Sequence, residues 1–142
     1  MPENERKDFI NGETNSKAVA RMVAEDKSIY NLIEPARINS ISKELVSTTK
    51  GAEVIADKLR PAEGQTAEQA SQEAFDRLRA ISQVPSHWAN VLIALYGERQ
   101  EGKDYVKLVF YRFPVDNQTA ILEQIRPEIA VALWGSIADA QV

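Results

Sequence analysis

The most regular pattern in this chain lies in residues 38–59, INSISKELVSTTKGAEVIADKL. Apolar or small residues recur there at alternating steps of three and four positions. They are Ile38, Ile41, Leu45, Thr48, Ala52, Ile55 and Leu59. This is the a/d spacing of three heptads, and it predicts a helix that packs along a partner helix.

The middle of this stretch allows two interpretations. The unbroken phase of the apolar positions favours one helix over residues 35–60. Residues 47–51, STTKG, are poor helix formers in a row, and glycine alone costs about 1 kcal/mol relative to alanine inside a helix. The alternative is therefore two helices, 35–47 and 52–60, joined by a turn at Gly51.

Helical periodicity and capping residues predict further helices on both sides of this stretch. Thr66 and Gln69 form the capping-box pattern of a helix start, in which each side chain bonds the other's backbone N–H. Helices are expected in about 16–33 and 35–60, from Thr66 to before Pro85, from Ser86 to Tyr96, from Asp116 or Thr119 onward, and after Pro127. The predicted fold class is mainly α, a small bundle of about five or six helices.

The chain length fits a single domain with a sizeable core. Residues 1–14 are polar and contain the turn dipeptide Asn11-Gly12, which predicts a flexible N-terminal arm. Residues 15–142 are then expected to form one globular, mainly helical domain, with a candidate internal boundary at 61–65.

The segment Tyr105–Phe113 is rich in aromatic and β-branched residues, which favour a strand. A strand needs a neighbour that satisfies its backbone polar groups. Residues 91–96 can supply one as a hairpin, and the same strand of a second copy can supply another. The remaining alternative is a helix with Tyr105, Leu108 and Val109 inward. We therefore predict a short β element here, with α+β as the alternative fold class.

Composition and charge exclude several classes of protein and site. The chain has no cysteine, which excludes disulfides and thiolate sites, and its single histidine, His87, excludes a multi-histidine metal site. The net charge is −4 and no basic block is present, so nucleic acid and anionic lipid are not favoured as partners. The first ten residues show no export signal, and no apolar run reaches the roughly 20 residues of a membrane span. We expect a cytoplasmic protein without a membrane partner.

The sequence offers no pattern that carries a named reaction. P-loop, dinucleotide-binding, nucleophile-elbow and calcium-loop motifs are absent from it. Acidic neighbours such as Glu25 and Asp26 are typical of a solvated charged face, and His87 is typical of a helix start. We therefore predict a non-enzymatic protein without catalytic residues, bound metal or cofactor. An enzyme of unrecognised type is an alternative.

A DNA-binding regulator is the other alternative, because two predicted helices in residues 70–97 are joined by a short turn, as in a helix-turn-helix. Candidate phosphate and base contacts can be named in both helices. They are Arg77, Arg79, Ser86, His87 and Asn90. Against this alternative, the second helix has no lysine or arginine of its own, although phosphate contacts supply much of the affinity for DNA.

Aromatic side chains concentrate in the last third of the chain, and such residues dominate both cores and binding hot spots. One face of the predicted strand mixes aromatic residues with a lysine, which makes it the candidate partner-binding surface. Its members are Tyr105, Lys107, Val109, Tyr111 and Phe113. Together with the helix-pairing pattern of residues 38–59, this face predicts binding to another macromolecule. The protein is expected to be a homodimeric adaptor, or an acidic inhibitor or regulator of another protein.

Overall fold

A computed structural model of the chain describes residues 2–97 and 102–134. These residues contain nine α-helices and two short 3₁₀ helices, Lys27–Leu32 and Pro35–Arg37. The α-helices are α1 (Glu3–Gly12), α2 (Ser16–Glu25), α3 (Ile38–Val46), α4 (Thr49–Leu59), α5 (Ala67–Ile81), α6 (Pro85–Tyr96), α7 (Gly102–Arg112), α8 (Val115–Gln124) and α9 (Pro127–Trp134). The predicted mainly α fold is confirmed, but the helices outnumber the five or six expected.

The predicted β element at Tyr105–Phe113 is wrong, because this segment forms most of α7. The alternative hairpin strand is also helical, since residues 91–96 lie in α6. Five side chains of the segment are buried: Tyr105, Val106, Val109, Phe110 and Phe113. A strand would send odd-numbered and even-numbered side chains to opposite faces, whereas the helical conformation buries all five in the core, and α7 packs on α5 and α6. Packing therefore overrides the β preference of the individual residues.

The single helix favoured for residues 35–60 is also wrong. The chain forms a 3₁₀ turn, then α3, and begins α4 after a break at Ser47 and Thr48. Thr48 caps α4, because its Oγ1 accepts a hydrogen bond from the Gly51 N–H at 3.0 Å. Threonine competes with the helix in this way through its own side chain. The two-helix alternative is correct, with the turn three residues before Gly51.

Gly51 lies in the first turn of α4, where it lets α3 and α4 approach each other closely. A Cβ atom at this position would fall 2.8 Å from the carbonyl carbon and the Cα of Leu45. No real side chain tolerates backbone at that distance. The apolar positions of residues 38–59 thus face one core from two helices: Ile41, Leu45, Ala52, Ile55 and Leu59 are buried, whereas Thr48 is exposed.

The predicted helix over residues 16–33 divides at Asp26. The Asp26 carboxylate accepts hydrogen bonds from the Ser28 N–H at 3.1 Å and the Ser28 hydroxyl at 2.6 Å. These bonds cap the 3₁₀ helix Lys27–Leu32, which replaces the last turns of the expected α-helix. The same hydrogen bonds hold the pKa of Asp26 below its ordinary value.

α5 begins where the local sequence signals predict, whereas α6 begins at Pro85, with Val84 at its N-cap, one residue before the expected start at Ser86. The capping box at Thr66 and Gln69 is confirmed, with both reciprocal hydrogen bonds at 3.1 Å. The indole N–H of Trp88 donates to the carbonyl oxygens of Leu78 and Ser82, each at 3.1 Å. One buried tryptophan therefore holds the end of α5 against the start of α6.

The first residues, expected to form a flexible arm over 1–14, contain helix α1. Ile10 is buried in the core, and Phe9 beside it is 61% exposed. The apolar core runs as one cluster from Ile10 to Trp134, on both sides of the candidate boundary at 61–65.

Replacing Gly51 with alanine tests the close approach of α3 and α4. Alanine gains about 1 kcal/mol of helix propensity over glycine, whereas overpacking against rigid backbone costs typically 1–3 kcal/mol, occasionally more. Because the neighbouring atoms are backbone, we expect the cost to exceed the gain, so that Gly51→Ala lowers the free energy of unfolding by up to about 2 kcal/mol in urea denaturation.

Gly12→Ala is the matched control, because Gly12 is also helical and a Cβ there has nothing within 4 Å. We expect this variant to equal the wild type or to be more stable by up to about 1 kcal/mol. Equal stability of the two variants would contradict the packing of α3 on α4.

Candidate partner-binding surface

Three of the five partner-binding candidates lie in the core. Tyr105 is 6% exposed, Val109 is fully buried and Phe113 is 2% exposed. Their spacing of four residues places them on one side of α7. In this conformation they cannot reach a partner, and they hold α7 against the rest of the molecule.

Phe113 joins three helices through its ring. The ring centroid lies 4.9 Å from that of Phe75 on α5 and 4.9 Å from that of Trp88 on α6. Next to it, the Arg112 guanidinium donates to Ser71 Oγ at 3.1 Å and to Gln72 Oε1 at 2.9 Å. The end of α7 is therefore fixed to α5 by both apolar and polar contacts.

Tyr105 fixes the other end of α7. Its hydroxyl donates a hydrogen bond to the carbonyl oxygen of Leu59, in the last turn of α4. Burial raises the pKa of Tyr105 to about 12, with a further contribution from the charge of Glu73. The phenol therefore stays protonated at neutral pH and remains a hydrogen-bond donor.

The other two candidates lie on the outward side of α7. Tyr111 is 44% exposed and Lys107 is half-buried. Leu108, on the same side, is half-buried, and Val115 at the start of α8 is 72% exposed. We call Lys107, Leu108, Tyr111 and Val115 the α7–α8 surface.

Val115 was not among the predicted site residues. It follows Pro114, which ends the preceding segment, and it lies outside the buried apolar set of the next residues, Ile121, Leu122 and Ile125. An apolar residue in the first turn of a helix, outside that helix's inward set, was the signal that could have identified it.

Two residues of the nucleic-acid alternative are hydrogen-bonded to other segments of the chain. Arg77 donates to Tyr30 Oη at 3.3 Å, and Asn90 donates to the carbonyl oxygen of Val46 at 3.0 Å. Ser86 is half-buried, and Arg79 is exposed with its guanidinium 5.3 Å from the centroid of the Phe75 ring.

His87, the remaining member of that set, is half-buried at the start of α6. Its Nδ1 lies 2.7 Å from Ser82 Oγ. Burial lowers the pKa of His87 below its ordinary value of 6.5; Lys43 lowers it further, and Glu44 acts in the opposite direction. The imidazole is therefore mainly neutral at pH 7 and belongs to the corner between α5 and α6.

An open cleft of about 510 Å³ lies between α4, α6 and α9. Arg60, Asn90 and Arg126 are among its polar lining residues. Arg60 donates to the carbonyl oxygens of Leu95 at 3.1 Å and Ala94 at 3.2 Å, and Asn90 is bound to Val46. Two of the polar groups that a ligand would use are therefore already occupied by backbone.

Residues 2–97 and 102–134 also bear on metal binding and on membrane crossing. In that part of the chain, no group of three or more histidine, cysteine or acidic side chains is arranged to hold a metal ion. None of its helices combines the length and the apolar character needed to cross a membrane.

Comparison of the chain with protein-family models, with curated proteins and with solved structures finds no match.

Replacing Phe113 and Tyr111 with alanine, one at a time, should distinguish a core residue from a surface residue. We expect Phe113→Ala to cost about 3–5 kcal/mol of unfolding free energy, because it removes a fully packed ring. Tyr111→Ala should cost less than about 1.5 kcal/mol, the scale of its one aromatic contact with Phe110. Urea denaturation of both variants measures the difference, and similar losses would mean that Tyr111 is a core residue.

His87 should make stability depend on pH. The folded protein binds its proton less readily than the unfolded chain, so the contribution is complete above pH 6.5 and is lost as pH falls from there through the lowered pKa of the folded state. We expect the free energy of unfolding to fall more over this window in the wild type than in His87→Gln. The imidazole proton signals of this only histidine report its pKa directly by NMR. A midpoint at or above 6.5 would contradict the prediction.

Proposed function

We propose that this chain is a non-enzymatic protein that acts by binding another protein through the α7–α8 surface. The observation that carries the proposal is the exposure of two apolar side chains at one helix junction, 72% for Val115 and 44% for Tyr111. Tyrosine is enriched at interface hot spots, because its ring supplies a large contact area and its hydroxyl a hydrogen bond.

Tyr111 is also held in place before any partner arrives. Its ring packs edge to face on Phe110, with centroids 5.1 Å apart and planes at 76°. Phe110 is fully buried and packs in turn on Trp134 at 4.9 Å. Because the ring already rests on the core, binding costs it little side-chain entropy, which favours its use as an anchor.

A second copy of the chain is the first partner to test, since homodimers with a two-fold axis are the commonest oligomers. Tyr111 and Val115 expose only part of their surface, and a stable interface buries about 800 Å² on each partner. Self-association through this surface would therefore be weak. A tight complex needs a different protein that also covers its surroundings, as an inhibitor or regulator does.

Serine substitutions test the proposal. We expect Tyr111→Ser with Val115→Ser to weaken association about tenfold or more, because the apolar anchors are lost. Sedimentation velocity over a concentration series measures self-association. Retention of proteins from a lysate on immobilised chain, compared between wild type and the double variant, measures binding to other proteins.

Val131→Ser is the matched control, because Val131 is also an exposed valine but lies on α9, where its side chain is 51% exposed. It should leave both readouts unchanged. The proposal fails if the wild type stays monomeric throughout and retains no protein that the double variant loses. It also fails if Val131→Ser has the same effect as the double variant.

A further inference from the structure

The backbone between the two 3₁₀ helices is bound by a side chain of α1. The Asn11 amide donates to the carbonyl oxygen of Leu32 at 2.8 Å, and its Oδ1 accepts from the Glu34 N–H at 2.9 Å. One asparagine therefore satisfies both a donor and an acceptor of the segment Leu32–Arg37.

Arg37 binds the same end of α1. Its Nη1 donates to the carbonyl oxygens of Ile10 at 3.2 Å and Asn11 at 3.5 Å. A cation at a helix C-terminus is favourable, because the last carbonyls carry partial negative charge and have no helical partner. Leu32–Arg37 is thus a docking site for a helix end that presents an apolar residue followed by asparagine.

The rest of α1 is held loosely. Ile10 is its one buried side chain, and Phe9 is 61% exposed. Near the other end of the helix, Arg6 reaches the Asp26 carboxylate at 3.4 Å and the Ser28 hydroxyl at 3.3 Å, both in exposed positions. Detachment of α1 therefore breaks few contacts relative to those of the core helices.

The connection from α1 to α2 is already extended. Glu13 has φ −82° and ψ 112°, and Asn15 has φ −82° and ψ 105°. Extended residues can straighten further without strain, and a linker of three residues then reaches about 10 Å. A linker that can straighten in this way allows a terminal element to be exchanged between copies, which is a low-cost route to dimers.

We propose that the Leu32–Arg37 site also accepts α1 from a second copy of this chain, so that two copies exchange their α1 helices. The second copy presents the same Ile10 and Asn11, and every contact described above is reproduced between chains. This exchange does not depend on the α7–α8 surface. It places a second, separate interaction site at the opposite end of the sequence.

Two complementary full-length variants test the exchange. Ile10→Asp prevents α1 from docking and leaves the docking site intact. Arg37→Glu disrupts the docking site and leaves α1 intact. Neither variant can exchange with itself, but the first can accept α1 from the second. We expect an equimolar mixture to contain about tenfold more heterodimer than either variant alone contains homodimer, measured by native mass spectrometry.

A mixture of Ile10→Asp with the Ile10→Asp, Arg37→Glu double variant is the matched control, because it holds no intact α1. It should show no heterodimer. All chains also carry Tyr111→Ser and Val115→Ser, so that association through the α7–α8 surface cannot contribute to either result. Only monomers in the complementary mixture would overturn the exchange and leave the proposed function untouched.

Circular dichroism checks that each variant is folded. If a charged variant loses its helical signal, Asn11→Ala replaces Ile10→Asp and Arg37→Ala replaces Arg37→Glu. Asn11→Ala removes the hydrogen bonds to Leu32 and Glu34, and Arg37→Ala removes those to Ile10 and Asn11, in both cases without adding a charge. The milder pair is then judged by the same heterodimer ratio.

Discussion

The close approach of α3 and α4 depends on the missing side chain of Gly51. Because nothing projects from that position, the first turn of α4 lies against the backbone of Leu45. The two helices can then present their apolar residues to one core, with Thr48 capping the second. α4 goes on to pack on α6, and its last turn supplies the Leu59 carbonyl that anchors Tyr105 of α7.

A second constraint is the satisfaction of carbonyl oxygens at helix ends. Short helices have a large share of such groups, and each buried one needs a donor. In this protein the donors come from other elements of the chain. They are Arg37 for Ile10, Asn90 for Val46, Tyr105 for Leu59, Trp88 for Leu78, and Arg60 for Ala94 and Leu95. Many polar and aromatic side chains that resemble site residues therefore have structural roles.

Because these side chains are hydrogen-bonded within the molecule, fewer polar and aromatic residues are free to bind a partner. Asn90 and Tyr105, candidates for two different functions, are both bound to helix ends. Tyr111 and Val115 have no such role and remain exposed. On α1, the same kind of helix-end contact, made by Arg37, holds a helix with one buried residue.

Local patterns were sufficient for the helical class, the capping box at Thr66 and the burial of most of the a/d positions of residues 38–59, because periodicity and capping act within one helix. The break at Thr48 and the helix in Tyr105–Phe113 were not accessible in that way. Both positions have local preferences that oppose or divide the helix, and the outcome depends on packing against segments distant in sequence. The exposure of Val115 has the same origin. The spacing of residues determines on which side of a helix each one lies. Whether a neighbouring helix covers that side depends on the arrangement of all the helices.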